Sequence, residues 1–182
     1  MGRQKQKMTD FTIPDLSHLE RLGSASGFVE DIYEVVRVLA EFENFTASEY
    51  SLLCEYMDCF GTPSRATLIA EGTVGNFLVI ILTGQVDVVK ADGANGKKVV
   101  AHVGPGGILG EMSLIDGQRR FASCISTQPT DIAVLTREAL NEILLTHPRL
   151  GVKLLLLLIQ LTTSRLRDAT RQLLPTLEGE WL

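Results

Sequence analysis

The chain has 182 residues, of which 45% are hydrophobic and 21% are charged, and its formal net charge is -5. This composition is typical of a folded globular protein, and the length suffices for one domain with helical flanks. The negative net charge argues against a nucleic-acid-binding protein, because such a protein needs a basic surface to neutralise the phosphates. It still permits a local positive site that binds one small anion.

The first residues and the cysteines predict a cytoplasmic protein. Residues 1–14 are polar and end in Pro14, so we expect a flexible arm, and no apolar signal core follows it. The odd set of three cysteines, Cys54, Cys59 and Cys124, has no spacing typical of a disulfide framework or a metal site, which favours free thiols in a reducing compartment. The longest apolar run, Leu154–Ile159, is too short to span a membrane.

Residues 15–60 predict an N-terminal helical segment. Apolar residues including Val29, Ile32 and Val36 recur at spacings of three and four, which indicates one helix from about Asp15 to Glu43. Thr46 and Glu49 then have the spacing of a capping box, which predicts a second helix that runs to about Cys59.

The sequence pattern of residues 61–136 predicts a series of short strands. The predicted strands are 66–70, 77–82, 86–90, 98–103, 121–126 and 131–135. They are rich in Val, Ile, Thr and Phe, and glycine-containing turns separate them. This pattern predicts an antiparallel β sandwich or barrel.

The apolar residues of 137–175 again recur with a helical period, which predicts C-terminal helices there. Residues 176–182 are expected to form a tail. A short helix is expected to end before His147-Pro148, and a long one to run from about Arg149 to Leu174, where Pro175 stops it. A heptad seam follows the long helix: Val152, Leu155, Ile159, Thr162, Leu166, Ala169 and Leu173. The seam predicts a homodimer through this helix. The alternative is that the same face packs only on the β domain.

The segment Gly110–Cys124, GEMSLIDGQRRFASC, combines an acid and an arginine around a short predicted helical turn. The first amides of such a turn lack internal partners and favour an anion. Arg120, just before a predicted strand, can grip two phosphate oxygens in a fork. Glu111 cannot help the phosphate, but it can accept a hydrogen bond from a sugar hydroxyl. The segment therefore suggests a phosphate attached to a ribose.

This arrangement resembles the phosphate-binding cassette of the cyclic nucleotide-binding domain family, which includes kinase regulatory subunits, gated channels and the catabolite activator group. The matching residues are Gly110-Glu111-Met-Ser-Leu114 and Arg120-Phe-Ala122-Ser123, with a similar run of early strands and a similar C-terminal helix, over about 42–174. The resemblance implies an α+β fold in which an antiparallel β-roll, or jelly roll, carries N-terminal helices and a long C-terminal helix.

The resemblance also implies a role for each matching position. Glu111 would accept from the ribose 2′-hydroxyl, and Arg120 would pair with the exocyclic phosphate oxygens. The amides of Ser113 and Phe121 would donate to the phosphate. The remaining predicted ligand-binding residues are Gly110 and Ala122, which leave room for the sugar, Met112, and Thr170, which matches a helix position that reaches the base.

Phe121 departs from the family pattern, which usually has a small residue after the arginine. A phenyl ring has no hydroxyl, so the contact that selects guanine is absent, and the choice between cyclic AMP and cyclic GMP stays open. The ring is expected to stack near the ligand, to point away, or to fill part of the pocket. Arg119 is interpreted as a solvated neighbour and not as a second phosphate ligand.

Catalysis has little support in the sequence, so no enzyme is predicted. His18, His102 and His147 are scattered, and no metal-binding or nucleophile motif is present. Only TLEGEWL follows Pro175, so no DNA-binding domain is expected in the chain. The expected function is a stand-alone sensor that binds a cyclic mononucleotide and signals through its C-terminal helix to an unidentified effector protein. The alternative is a ligand-free, dimeric interaction module.

Overall fold

The computed structural model describes residues 16–37, 39–93 and 96–178, with backbone alone at 41 and 172–178. The arm predicted over 1–14 and the last residues of the predicted tail lie outside the described residues. The strands are β1 (Glu20–Ser24), β2 (Met57–Thr62), β3 (Thr67–Ile69), β4 (Phe77–Ile81), β5 (Val86–Ala91), β6 (Lys97–Val103), β7 (Ile108–Leu109), β8 (Ser123–Ser126) and β9 (Thr130–Thr136). Each of the six predicted strands overlaps one of them, and β1, β2 and β7 were not expected.

The strands form two antiparallel sheets. One has the order β1-β2-β9-β4-β7 and the other has the order β3-β8-β5-β6. Apart from the pairs β1–β2 and β5–β6, strands that follow one another in the chain lie in different sheets, as they do in a roll. The predicted α+β fold with an antiparallel β-roll is confirmed.

Helices flank the roll: α1 (Val29–Val36), α2 (Ala47–Cys54), α3 (Glu111–Asp116), α4 (Arg137–Thr146) and α5 (Pro148–Glu178). The capping box predicted for α2 is confirmed, because Thr46 Oγ1 accepts from the Glu49 amide and the Glu49 carboxylate accepts from the Thr46 amide. The break between α4 and α5 is also confirmed, with Pro148 at the first helical position, where its missing N–H is not needed.

The predicted stop of the long helix at Pro175 is wrong, because α5 continues to Glu178. A proline this close to the end of a helix removes one backbone donor, and few residues beyond it depend on that turn. Within the described residues, no helix is long and apolar enough to cross a bilayer.

Strand β4 separates two hydrophobic cores. Leu78 and Ile80 pack in the core beneath the helices, whereas Phe77, Val79 and Ile81 pack inside the roll. All five positions of the strand are buried. A strand covered on both faces reads as a continuous apolar run, and this explains the sequence FLVII.

The single helix predicted over Asp15–Glu43 is wrong, because this segment contains a strand before its first α-helix. Residues Glu20–Ser24 form β1 and pair with β2, and Arg21 Nη2 lies 2.9 Å from Asp58 Oδ1. Gly23 has a φ of 131°, which a helix cannot accommodate. Pairing of β1 with β2 therefore outweighs the helical spacing of the apolar residues, and α1 begins only at Val29. The second predicted helix is shorter than expected, because α2 ends at Cys54 and Met57–Thr62 form β2.

The segment that contains the start of α2 contacts α5 through Lys153. Lys153, on α5, donates to the Asn44 carbonyl oxygen at 2.7 Å and lies 2.7 Å from a Glu49 carboxylate oxygen. Its Nζ is also 5.7 Å from the centroid of the Phe45 ring. A hydrogen bond from Lys153 is the largest cause that lowers the pKa of Glu49. These contacts tie the start of the long helix to the segment before the roll.

Candidate functional site

The cassette begins where β7 ends. Gly110 has a φ of 84°, and α3 runs from Glu111 to Asp116 before Gly117, whose φ is 70°, ends it. Only glycine adopts such angles without strain. A Cβ at Gly110 would also clash with Nη1 of Arg120. The two glycines therefore let the chain turn sharply at both ends of the short helix α3.

The guanidinium of Arg120 is buried and held by main-chain carbonyls. The residue is 3% exposed. Its Nη1 donates to the Gly110 oxygen at 2.9 Å and its Nη2 to the Phe77 oxygen at 2.7 Å. Its Cζ lies 4.5 Å from the centroid of the Phe77 ring. Arg120 thus joins the cassette to the start of β4.

Glu111 is buried against the long helix. The residue is 2% exposed, and its carboxylate accepts a hydrogen bond from Nη1 of Arg165, on α5. The other terminal nitrogen of Arg165, Nη2, donates to the Ile108 carbonyl oxygen. Sequence reasoning missed this role of Arg165. No local spacing could have found it, because 54 residues separate the two partners.

Cys124, on β8, is buried in the core inside the roll. Burial, the largest cause, raises the pKa of its thiol to about 12. Arg120 and Arg165 lower this pKa, while Glu111 raises it, so all three charges act on one thiol inside the roll. The two side chains have different partners, because Arg120 donates to the carbonyls of Gly110 and Phe77, whereas Glu111 accepts from Arg165. All three cysteines are free and buried, as predicted.

The other predicted site residues divide into two groups. Ser113 and Ala122 are buried beside the cassette, at 4% and 8% exposure. Met112 and Phe121 are 51% and 64% exposed. Thr170 is exposed on α5, and its hydroxyl donates to the Leu166 carbonyl at 2.8 Å. Within the described part of the chain, Thr170 makes no hydrogen bond to a cassette residue.

A cavity of about 340 Å³ opens beside Arg120. Its lining consists of His18, Thr67, Leu68, Ile69, Ala70, Thr73, Phe77 and Arg120. Of the predicted site residues, all of which lie in the described part of the chain, Arg120 lines this cavity and the others do not. The ring of Phe121 therefore does not plug it. Sequence reasoning did not anticipate that the segment before β1 would supply a wall residue, His18.

Comparison with known proteins agrees with this geometry. The family described as the cyclic nucleotide-binding domain matches residues 62–147. The crystal structure of a cyclic nucleotide-binding domain from Methylobacillus flagellatus is 40% identical, has a TM-score of 0.80, and is aligned over 96% of this chain and 97% of that one.

Two curated proteins are more distant relatives. The cyclic AMP receptor protein of Thermus thermophilus is 27% identical over 72% of this chain. A cAMP-dependent protein kinase regulatory subunit from Colletotrichum orbiculare is 27% identical over 69% of it. The chain spans 59% of the length of the first protein and 31% of the second. On the cassette, the β-roll and these similarities, the chain belongs to the cyclic nucleotide-binding domain family, related to the catabolite activator proteins and the kinase regulatory subunits.

Proposed function

We propose that the chain is a cytoplasmic sensor of a cyclic mononucleotide, cyclic AMP or cyclic GMP. Arg120 pairs with the exocyclic phosphate oxygens, and Glu111 accepts from the ribose 2′-hydroxyl. The observation that carries the proposal is the burial of both charges, at 3% and 2% exposure, with Arg120 bonded to the carbonyl of Gly110, the residue before Glu111. A buried guanidinium that lines a cavity is suited to an anionic ligand, because it can bind two oxygens of one phosphate.

The signal leaves the site through α5. Arg165 binds the Glu111 carboxylate and the Ile108 carbonyl, so a ribose hydroxyl that engages Glu111 changes a contact of the long helix. A ligand shifts such an equilibrium only through its preference for one conformer, and about 1.4 kcal/mol of preference is a tenfold shift. The displaced helix then changes the affinity of the sensor for an effector protein.

The test is unfolding with and without ligand. Cyclic AMP or cyclic GMP at about 100 times its Kd is expected to stabilise the chain by roughly 2.7 kcal/mol, measured as a shift in thermal unfolding. Linear 5′-AMP is the matched control, because it carries the same base and sugar without the ring-closed phosphodiester. If neither cyclic mononucleotide nor a cyclic dinucleotide shifts the transition, the sensor proposal is wrong.

The second candidate is a ligand-free interaction module. It is favoured by the fact that Glu111 already has a partner in Arg165, while Arg120 donates to two main-chain carbonyls. A chain that satisfies its own cassette charges does not need a ligand to fold. The unfolding experiment separates the two candidates.

Dimerisation through α5 is part of the same proposal. The large apolar residues Val152, Leu156, Ile159 and Leu166 are 53–67% exposed along this helix. Leu155 and Thr162, at the alternate positions of the predicted seam, are half-buried, and the side chain of Leu173 lies outside the described residues. A helix face of this kind is suited to pairing with the same face of a second copy.

Leu166→Glu is expected to shift the dimer towards the monomer, because each copy would place a carboxylate in the apolar seam. Sedimentation velocity measures the change. Ser164→Glu, which adds the same charge to an exposed position on the other side of the helix, is the control and is expected to leave the mass unchanged. An unchanged sedimentation coefficient for Leu166→Glu would place the dimer contact elsewhere.

A further inference from the structure

Two side chains outside the predicted site, Lys90 and Glu71, form a cluster with Phe121, the residue that follows Arg120. Lys90, on β5, places its Nζ 2.6 Å from Oε1 of Glu71 and 2.6 Å from the carbonyl oxygen of Phe121. The same Nζ lies 4.3 Å from the centroid of the Phe121 ring. One ammonium group therefore holds both the main chain and the side chain of Phe121.

The hydrogen bond to the Phe121 carbonyl orients the peptide that continues the cassette. A trans peptide is planar, so the carbonyl of Phe121 and the N–H of Ala122 point to opposite sides of one rigid unit. The ammonium of Lys90 on the carbonyl side fixes the direction of the Ala122 N–H. Ala122 is 8% exposed and is separated from Arg120 by one residue. A charged donor on a carbonyl also polarises the amide beyond it.

Glu71 keeps Lys90 in place. Its second carboxylate oxygen, Oε2, accepts from the Ala91 amide at 3.0 Å, and its own amide donates to Ser123 Oγ at 3.0 Å. The hydrogen bond from Lys90 is the largest cause that lowers the pKa of Glu71, followed by that from the Ala91 amide. Glu71 is therefore bonded to two strands, to β5 through its carboxylate and to β8 through its main-chain amide.

The cluster also explains why an aromatic residue follows the arginine. The ring of Phe121 is 64% exposed and lies against the Lys90 ammonium, which is a favourable cation–π arrangement. This contact holds the ring on the outside of the roll and away from the cavity beside Arg120.

We propose that Lys90, held by Glu71 and Phe121, is a positioning residue: it fixes the Phe121–Ala122 peptide, which directly follows the Phe121 amide expected to donate to the phosphate, and thereby sets the affinity of the cassette for the cyclic phosphate. The inference rests on the proposed function, because the ligand is the one assigned to Arg120. It adds a residue that the cassette motif does not contain and assigns a role to Phe121.

The test compares Lys90→Met, Lys90→Arg and Lys98→Met with the unmodified chain. Lys98 is exposed on β6 directly opposite Lys90 and is the matched control. Calorimetric titration with cyclic AMP or cyclic GMP is expected to show a Kd raised about tenfold or more by Lys90→Met. Lys90→Arg keeps a charged donor and is expected to restore most of the affinity, and Lys98→Met is expected to have no effect. Urea unfolding should change little, because partly exposed ion pairs contribute little to stability.

A readout without ligand separates this inference from the sensor proposal. The ¹H and ¹⁵N chemical shifts of the Ala122 amide are expected to move in Lys90→Met and to return towards the original values in Lys90→Arg. Unmoved shifts overturn the positioning role even if the chain binds no cyclic nucleotide at all. Unchanged affinity in Lys90→Met overturns it too, as does a loss of affinity that matches a loss of stability and is not rescued by arginine.

Discussion

Gly75→Ala is expected to weaken cyclic nucleotide binding by about a hundredfold or more, because the added methyl group takes the space of the Arg120 head group. A Cβ at Gly75 would lie 2.5 Å from Arg120 Cζ and 2.7 Å from Ser113 Cβ, distances that real Cβ atoms do not show. Gly75 does not use a positive φ, so alanine suits the backbone and the strain falls on the arginine. Calorimetric titration of the variant measures the loss.

The control for this prediction is Gly104→Ala. Gly104 lies in the turn before β7, also lacks a positive φ, and has nothing within 4 Å of an added Cβ. It is therefore expected to bind as the unmodified chain does. Original affinity in Gly75→Ala would mean that the observed position of the Arg120 guanidinium is not the one that binds the ligand.

Arg165→Met is expected to lower the free energy of unfolding by roughly 2–3 kcal/mol. Removing one partner of a buried ion pair costs about 3–5 kcal/mol, because the other charge is left without compensation, and the partial exposure of Arg165 reduces the figure here. Glu111 is 2% exposed, and the same substitution removes the donor to the Ile108 carbonyl. Urea unfolding measures the change.

Two further variants make this prediction specific. Arg167→Met removes an arginine that is exposed on the same helix and is expected to be nearly neutral. Adding Glu111→Gln to Arg165→Met removes the uncompensated charge and is expected to recover part of the lost stability. If Arg165→Met unfolds like Arg167→Met, the contact between α5 and the cassette contributes nothing to the fold.

Much of the roll was predictable because each strand carries its own signal. The strands near 67, 77, 86, 97, 123 and 130 are short apolar runs between glycine turns, and the structure has a strand at each. The N-terminal strand β1 was not predictable. Its sequence, ERLGS, has no alternation, and it is extended because it pairs with β2 and because Gly23 breaks the helical path.

The candidate site divides in the same way. Gly110, Glu111 and Arg120 could be assigned from the sequence because they lie within one short segment, where a turn and a strand start keep them together. Arg165 and Gly75 could not be assigned. Arg165 reaches Glu111 only because α5 packs across the end of the roll, and Gly75 faces Arg120 only because the chain before β4 passes beside it.

The sequence by itself determined the local patterns: which residues alternate, where turns need glycine, and which acid and arginine share a cassette. These depend on neighbouring residues, whose geometry the backbone restricts. Only the tertiary structure decided that Glu111 is bound by the long helix, that the ring of Phe121 lies on Lys90 outside the roll, and that His18 lines the cavity beside Arg120. The physical reason is that these contacts join residues far apart in the chain, and packing sets their distances.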